Sequence, residues 1–186
     1  MSEELLVRYA SPTLAALKTG NLISYRSHNN EQVEETVQRW NVQLGPKGVV
    51  VEILSNAKSL YLLYVYRPAL LSCTLTEIGV RQLLGRYDYP FWSLEASLSH
   101  LKSRLSQSKQ FPHEIGVFLG YPVADVSAFI QMGGCNSKCE GCWKVYSDVH
   151  NAQALFARYK KCTRLYLEQL RNGKSLAYLT VQRKKA

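Results

Sequence analysis

The stretch Val49-Val50-Val51-Glu52-Ile53-Leu54, then Ser55-Asn56-Ala57-Lys58-Ser59, then Leu60-Tyr61-Leu62-Leu63-Tyr64-Val65-Tyr66 sets two β-prone runs on either side of five small or polar residues. β-Branched, aliphatic and aromatic side chains pack well on a pleated surface, and Ser, Asn and Lys between them favour a reversal, so the stretch predicts an antiparallel hairpin. Upstream, Leu22 to Arg26 predicts a third strand. Before it, Pro12 followed by Thr13 to Lys18 predicts a short helix closed by Gly20. Asn30 is placed to cap a helix in which Val33, Val37, Trp40 and Leu44 recur at helical spacing until Gly45-Pro46.

Downstream, a helix is expected from Leu75 to Leu84, and Ser93 is placed to cap another whose Leu94, Leu98, Leu101 and Leu105 form one row. The apolar run Ile115 to Leu119 predicts a strand, turned by Gly120-Tyr121-Pro122 into a helix through Val126, Phe129 and Ile130 that ends at Gly133-Gly134. Trp143 to Tyr146 predicts a short strand. Asp148 then caps a long helix, Asn151 to Leu170, with Leu155, Tyr159, Cys162 and Tyr166 on its inner face, and a last short helix spans Ser175 to Val181. Hairpin and helices mix without steady βαβ alternation, which selects α+β: a single compact domain with a mixed or antiparallel sheet of about five strands, a central hairpin and several packing helices.

A chain of 186 residues with 46% apolar and 20% charged side chains can bury a core without disulfides or metals. The longest apolar stretch, near Leu60 to Val65, is far short of the roughly 20 residues that span a bilayer, so no membrane partner is expected. The acidic opening Met1-Ser2-Glu3-Glu4 lacks the charge and apolar core of an export signal, and with five cysteines, an odd number, the expected location is the reducing cytoplasm. The formal charge of +9 is uneven: from Lys138 onward there are 11 basic and 3 acidic residues. Such a field draws anions, or it is a solvated helix face ending in a basic tail around Arg183-Lys184-Lys185.

Three constellations carry chemistry. Cys135, Cys139 and Cys142 follow a Cys-x3-Cys-x2-Cys spacing that suits thiolate ligation of an iron–sulfur cluster, or of zinc with His150 as fourth ligand; the alternative is free thiols on a Gly-rich loop. His113 and Glu114 precede an apolar run, and an imidazole there can serve as general acid or base, or simply anchor the segment. Trp143, Lys144 and Tyr146, followed by Arg158, Lys160, Lys161 and Arg164, interleave cations with aromatics, a pattern that grips an anion and stacks a planar ring. No Walker loop, dinucleotide fingerprint, serine elbow or HExxH occurs.

Taken together, Ser11-Pro12-Thr13-Leu14-Ala15-Ala16-Leu17-Lys18-Thr19-Gly20-Asn21-Leu22, the stretch Phe111 to Pro122, Asn136, Lys138, Gly141, Trp143-Lys144-Val145-Tyr146 and Phe156-Ala157-Arg158-Tyr159-Lys160-Lys161-Cys162 resemble the domain-of-unknown-function family numbered thirty-seven ninety-three, found mainly in anaerobic Gram-positive bacteria. The resemblance covers nearly the whole chain and implies no particular activity or cofactor. It does imply a link to redox or iron metabolism through a flavodoxin-like partner, and it treats the positions of Cys135, Cys139 and Cys142 as variable. Tyr9 stands where it implies a cysteine in relatives.

The site expected from these readings has His113 and Glu114 as catalytic candidates and Ser11, Thr13, Lys18, Asn136, Lys138, Trp143, Lys144, Tyr146, Arg158 and Lys161 as ligand-binding candidates. The leading functional expectation is a cytoplasmic binding or accessory protein with a basic, aromatic-lined pocket for a small anionic ligand. In it Lys18, His113, Lys144 and Arg158 share one concavity without acidic partners. The alternatives are an enzyme using His113 as acid or base, a nucleic-acid-binding protein, and a metal or iron–sulfur protein through the three thiols and His150.

Overall fold

Two residues with left-handed backbone fix the central hairpin. In this computed structural model, which describes residues 1–107 and 110–183, Lys58 and Ser59 have φ of 51° and 62°. That pair of positive values matches the twist-compatible two-residue connection of a hairpin. The loop is therefore two residues long, not the five expected, and β2 (Val50–Ala57) runs on to meet β3 (Leu60–Tyr66) with Ala57 opposite Leu60 and Val50 opposite Tyr66. β1 (Gly20–Arg26) pairs antiparallel on the other side of β3, giving the order β1-β3-β2. β3 is paired along both edges, and Tyr61 and the run Leu63 to Tyr66 are buried on both of its faces, in keeping with an apolar run that does not alternate. Tyr61, Leu63 and Val65 point into the core, while Tyr64 and Tyr66 stack on the opposite face with ring centroids 4.5 Å apart.

The chain divides into two compact units. The first combines residues 1–69 with the stretch from Tyr159 onward. Its opening helix, α1 (Glu3–Leu14), lies earlier than the Thr13–Lys18 helix expected from sequence. The reasons are local: the Ser2 hydroxyl accepts from the Leu5 amide, Glu3 and Glu4 favour the positive helix end, and Leu6, Val7, Ala10 and Leu14 make one buried stripe. Pro12 sits inside the last turn, and Ala16, at φ 57°, reverses the chain towards β1. α2 (Asn30–Leu44) buries Val33, Val37, Trp40 and Leu44 as the periodicity requires, but its cap is Asn29, whose side chain accepts from the Gln32 amide at 2.9 Å. α9 (Leu176–Leu179), capped by Ser175, closes the same core against α1 and α2.

The second unit, residues 70–158, contains most of α3 (Pro68–Thr76), then α4 (Ile78–Gly85), α5 (Leu94–Gln107), α6 (Ile115–Phe118), α7 (Val123–Gln131) and a two-stranded antiparallel ribbon of β4 (Cys139–Glu140) and β5 (Lys144–Val145). The helix expected over Leu75–Leu84 is two helices, because Glu77 is extended and the Thr76 hydroxyl turns back to the Cys73 carbonyl, competing with helix continuation. Ile115–Leu119, expected as a strand, instead winds into α6. All five residues are buried, so there is no alternation to distinguish strand from helix, and the Ile115 and Gly116 amides close helical turns on the Pro112 and His113 carbonyls.

α8 (Val149–Arg171) begins in the second unit, where the Asp148 carboxylate accepts from the Asn151 amide, and ends in the first. Its inner residues Tyr159 and Cys162 are buried. The architecture among the described residues is thus α+β, with antiparallel sheets of three and two strands. No described helix is long and apolar enough to cross a membrane. The basic tail at Lys184-Lys185 lies outside the described residues.

Candidate functional site

A single buried carboxylate organises the second unit's motif residues. Asp125, on the first turn of α7, is 2% exposed. Its Oδ2 accepts the Trp143 indole N–H at 2.8 Å, and its Oδ1 accepts the Tyr146 amide at 2.9 Å, the Ser147 amide at 2.8 Å and the Ser147 hydroxyl at 2.7 Å. Burial raises the carboxyl's pKa, but these hydrogen bonds outweigh it and hold the group below its ordinary value. The Trp143-Lys144-Val145-Tyr146 run is therefore tied to α7 through one side chain. The Tyr146 hydroxyl is buried and makes no hydrogen bond among the described residues.

Trp143 also stacks on Tyr121 at 5.0 Å and meets Phe156 of α8 edge to face at 4.5 Å. Gly141 lies under the Phe156 ring so closely that a Cβ there would overlap it. Gly141→Ala should therefore displace Phe156 from Trp143 and destabilise the second unit by about 1–3 kcal/mol. Denaturant unfolding, read together with the near-ultraviolet circular dichroism of the indole, checks this; an unchanged midpoint would show that the ring has room to move.

The candidate cations of this unit have different surroundings. Lys144 Nζ donates to the Gly134 carbonyl at 2.9 Å and pairs with Glu140 at 3.1 Å, so it does have an acidic partner, contrary to expectation. Lys138 Nζ donates to the Ser147 carbonyl at 3.2 Å. Asn136 has φ 59°, a left-handed conformation that asparagine tolerates better than most side chains. Arg158 is exposed and makes neither a hydrogen bond nor an ion pair among the described residues.

His113 is exposed, with its ring centroid 4.9 Å from Phe129 and 6.0 Å from Phe111. Phe129 packs in turn against Gly134, whose carbonyl holds Lys144. His113, Asn136, Lys138, Trp143, Lys144 and Tyr146 therefore hang on α7 and the β4–β5 ribbon. Glu114 does not join them. It is 1% exposed, and its carboxylate accepts from Arg104 Nε in an ion pair and from the Tyr89 hydroxyl at 3.2 Å. Burial and the neighbouring carboxylate push the Tyr89 phenol well above its ordinary range, so it stays a donor.

The thiols do not form a ligand set. Among the described residues, no three His, Cys, Asp or Glu side chains are placed to hold one metal ion, so Cys135, Cys139, Cys142 and His150 are not gathered as the spacing suggested. Cys139 lies in β4, where pairing directs side chains by strand alternation, while Cys135 and Cys142 are exposed in the loops beside it. Cys162 is buried in α8, and burial pushes its thiol up to about 11.

The remaining candidates belong to the first unit and are used there. The Ser11 hydroxyl donates to Thr163 Oγ1 at 2.8 Å, and the Thr13 hydroxyl donates to Asn21 Oδ1 at 2.8 Å, joining α1 to α8 and β1. Lys18 is 6% exposed and Lys161 is exposed on α8. Tyr9 is half exposed. Sequence reading missed two groups: Asp125, and Arg67, a 2% exposed guanidinium that donates to four carbonyls of the first unit. The signal for each was a lone charge embedded in an apolar run. A family model described as "Protein of unknown function (DUF3793)" matches residues 6–180. No curated protein and no solved structure matches the chain.

Proposed function

Because the chain belongs to the DUF3793 family across residues 6–180, whose description carries no activity, we propose a function from the chain's own geometry: a binding or accessory protein for a small anionic ligand. The observation that carries the reading is the ribbon end of the second unit. There an exposed His113 with no hydrogen bond on its ring among the described residues, the exposed Lys138 and the half-buried Phe129 ring lie on α7 and the segments that enter it and the β4–β5 ribbon, with Lys144 beside them held by Gly134 and Glu140. Arg158, exposed on α8 and without a hydrogen bond or ion pair among the described residues, is the guanidinium that the proposal assigns to the same ligand. Cations beside aromatic faces favour a planar anion over a simple salt ion. The cytoplasmic setting belongs to the proposal and is supported by five free thiols. So does the flavodoxin-like redox partner that the family resemblance implies.

Haemin and ADP serve as probes of the intact chain. One of them should bind at one equivalent, and Arg158→Ala should weaken it about tenfold or more, the loss of a charge-assisted contact of about 1.5–3 kcal/mol, while thermal unfolding is unchanged. Affinity indifferent to Arg158, Lys138 and His113 together would end the reading. A 20-nucleotide oligomer bound tightly but lost steeply as salt rises, with no saturable haemin or ADP binding, would transfer the basic residues to nucleic-acid recognition. A second reading, general acid–base chemistry at His113, is favoured by its unbonded, exposed ring; Glu114 is committed to Arg104 and takes no part in it.

A further inference from the structure

The second unit contains a cleft of about 150 Å³ between α3, α4 and the start of α5, lined by Ser72, Leu75, Thr76, Arg81, Phe91, Ser93, Leu94 and Ser97. None of these residues belongs to the ribbon end. The lining holds one cation and no carboxylate. We propose that this cleft is a binding site for a small planar carboxylate, with Arg81 gripping the carboxylate and Phe91, Leu75 and Leu94 receiving the ring.

Arg81 is the first support. Glu77 lies one helical turn before it, the spacing at which an exposed acid and base ordinarily pair, yet the two form no ion pair. The guanidinium instead donates through Nε to the Leu75 carbonyl at 3.3 Å and lies 5.8 Å from the centre of the Phe91 ring. One N–H is thus used to orient the exposed side chain, and its terminal nitrogens make no hydrogen bond among the described residues. That edge is the part of arginine that matches a carboxylate with two parallel hydrogen bonds.

The hydroxyls are the second. Among the described residues, Ser93 Oγ accepts from the Ala96 amide and keeps its own hydrogen unbonded, and the exposed Ser72 hydroxyl makes no hydrogen bond. The Thr76 and Ser97 hydroxyls donate to the Cys73 and Pro90 carbonyls and serve the walls. A single cation offsets a single negative charge, which favours a carboxylate over a phosphate dianion.

Size and exposure give the third. A cavity of about this volume accepts a benzene ring, whereas pockets for drug-sized ligands run from about 300 Å³. Trp92, between two lining residues, is 82% exposed, and Ile78 on α4 is 77% exposed. Two large apolar side chains left exposed on the segments that supply the lining suit a ligand whose ring is only partly engulfed.

Benzoate is the probe, titrated into the intact chain by calorimetry and by tryptophan fluorescence, with benzylamine as the cationic control. Benzoate should saturate with a dissociation constant on the order of 1 mM, as expected for so few atoms. Arg81→Ala should weaken it tenfold or more and Arg81→Lys less. Trp92→Phe should keep the calorimetric binding and remove most of the fluorescence change. Arg158→Ala should leave benzoate binding intact, which separates this site from the ribbon end. No saturation by about 20 mM, equal binding to the Arg81→Ala protein with unchanged circular dichroism, or benzylamine binding as well as benzoate would each overturn the assignment. Inorganic phosphate binding in place of benzoate would also overturn it.

Discussion

Asp125→Ala is expected to destabilise the second unit by about 3–5 kcal/mol, measured as a shift in the denaturant midpoint. The size follows from what is left behind. Trp143 is 8% and Tyr146 9% exposed, so the indole N–H and the Tyr146 amide lose their acceptor in places water hardly reaches. Each unsatisfied buried donor costs about 1–3 kcal/mol. Ser147 is exposed and recovers its bonds from solvent.

Asp125→Asn separates charge from geometry. Its oxygen can keep the bonds now made by Oδ1, but its amide nitrogen would then face the Trp143 N–H, donor against donor. Adding Trp143→Phe removes that clash, so the Asn substitution should cost less in the Phe background, a coupling that a double-mutant cycle reads directly. Stability against pH gives a further check. The native pKa is held below the unfolded value of about 3.9. The stability this linkage supplies is therefore complete above that value and is lost as pH falls through the native pKa. Asp125→Asn should flatten the acid limb of the curve; an acid limb as steep as that of the parent would place the responsible carboxylate elsewhere.

The Asp125 network also narrows the search for function. Trp143 and the Tyr146 backbone are anchored by it, Asn136 is suited to its left-handed backbone, Lys144 is held by Gly134 and Glu140, and Ser11 and Thr13 join helices and strand within the first unit. Motif letters that looked like binding groups are in these cases accounted for by the fold. His113 and Arg158 of the second unit and Lys161 of the first are not, since each is exposed and none makes a hydrogen bond or ion pair among the described residues. The functional reading therefore rests on His113, Lys138 and Arg158 of the second unit, fewer residues than the motif stretches offered.

What was legible in the sequence is what short-range periodicity encodes. The stripe Val33, Val37, Trp40, Leu44 and the runs flanking Lys58-Ser59 each satisfy one local pattern, and the structure buries or pairs them accordingly. Ile115 to Leu119 failed because burial on every side erases the pattern that separates strand from helix. Asp125 and Arg67 failed for another reason. Their partners lie 18 to 22 residues away in one case and up to 114 in the other, and no local rule names an acceptor at that distance. Isolation of a charge in an apolar run was visible; the groups that would satisfy it were not.

Arg67→Ala should cost the first unit at least as much, about 4 kcal/mol or more. The side chain is 2% exposed at the end of β3, and its guanidinium donates to the carbonyls of Thr13 at 2.6 Å, Leu14 at 2.7 Å, Val181 at 2.7 Å and Lys47 at 3.2 Å. Thr13 and Leu14 are the last residues of α1, at the negative end of the helix, and their carbonyls accept from the Ala16 and Val181 amides as well as from Arg67, so backbone dipoles do for this cation what a carboxylate does elsewhere. Burial lowers the guanidinium's pKa, but arginine stays charged at any ordinary pH. Truncation leaves a void and takes the Arg67 donor from all four carbonyls; those of Thr13 and Leu14 keep one backbone donor each, while those of Lys47 and Val181 keep none among the described residues. Arg67→Lys keeps the charge but has three donors from one point and no planar fork, so it cannot reach four carbonyls spread over three segments; it should recover only part of the loss. The C-terminal segment gives the sharpest readout, because Val181 is held there by the Arg67 bond to its carbonyl and by its own amide bond to Leu14. In Arg67→Ala, hydrogen exchange at the Leu179 and Val181 amides should accelerate before the β1–β3 ladder opens. Equal protection in the two proteins would mean that α9 is held by its apolar contacts alone and that the four carbonyls find water without cost.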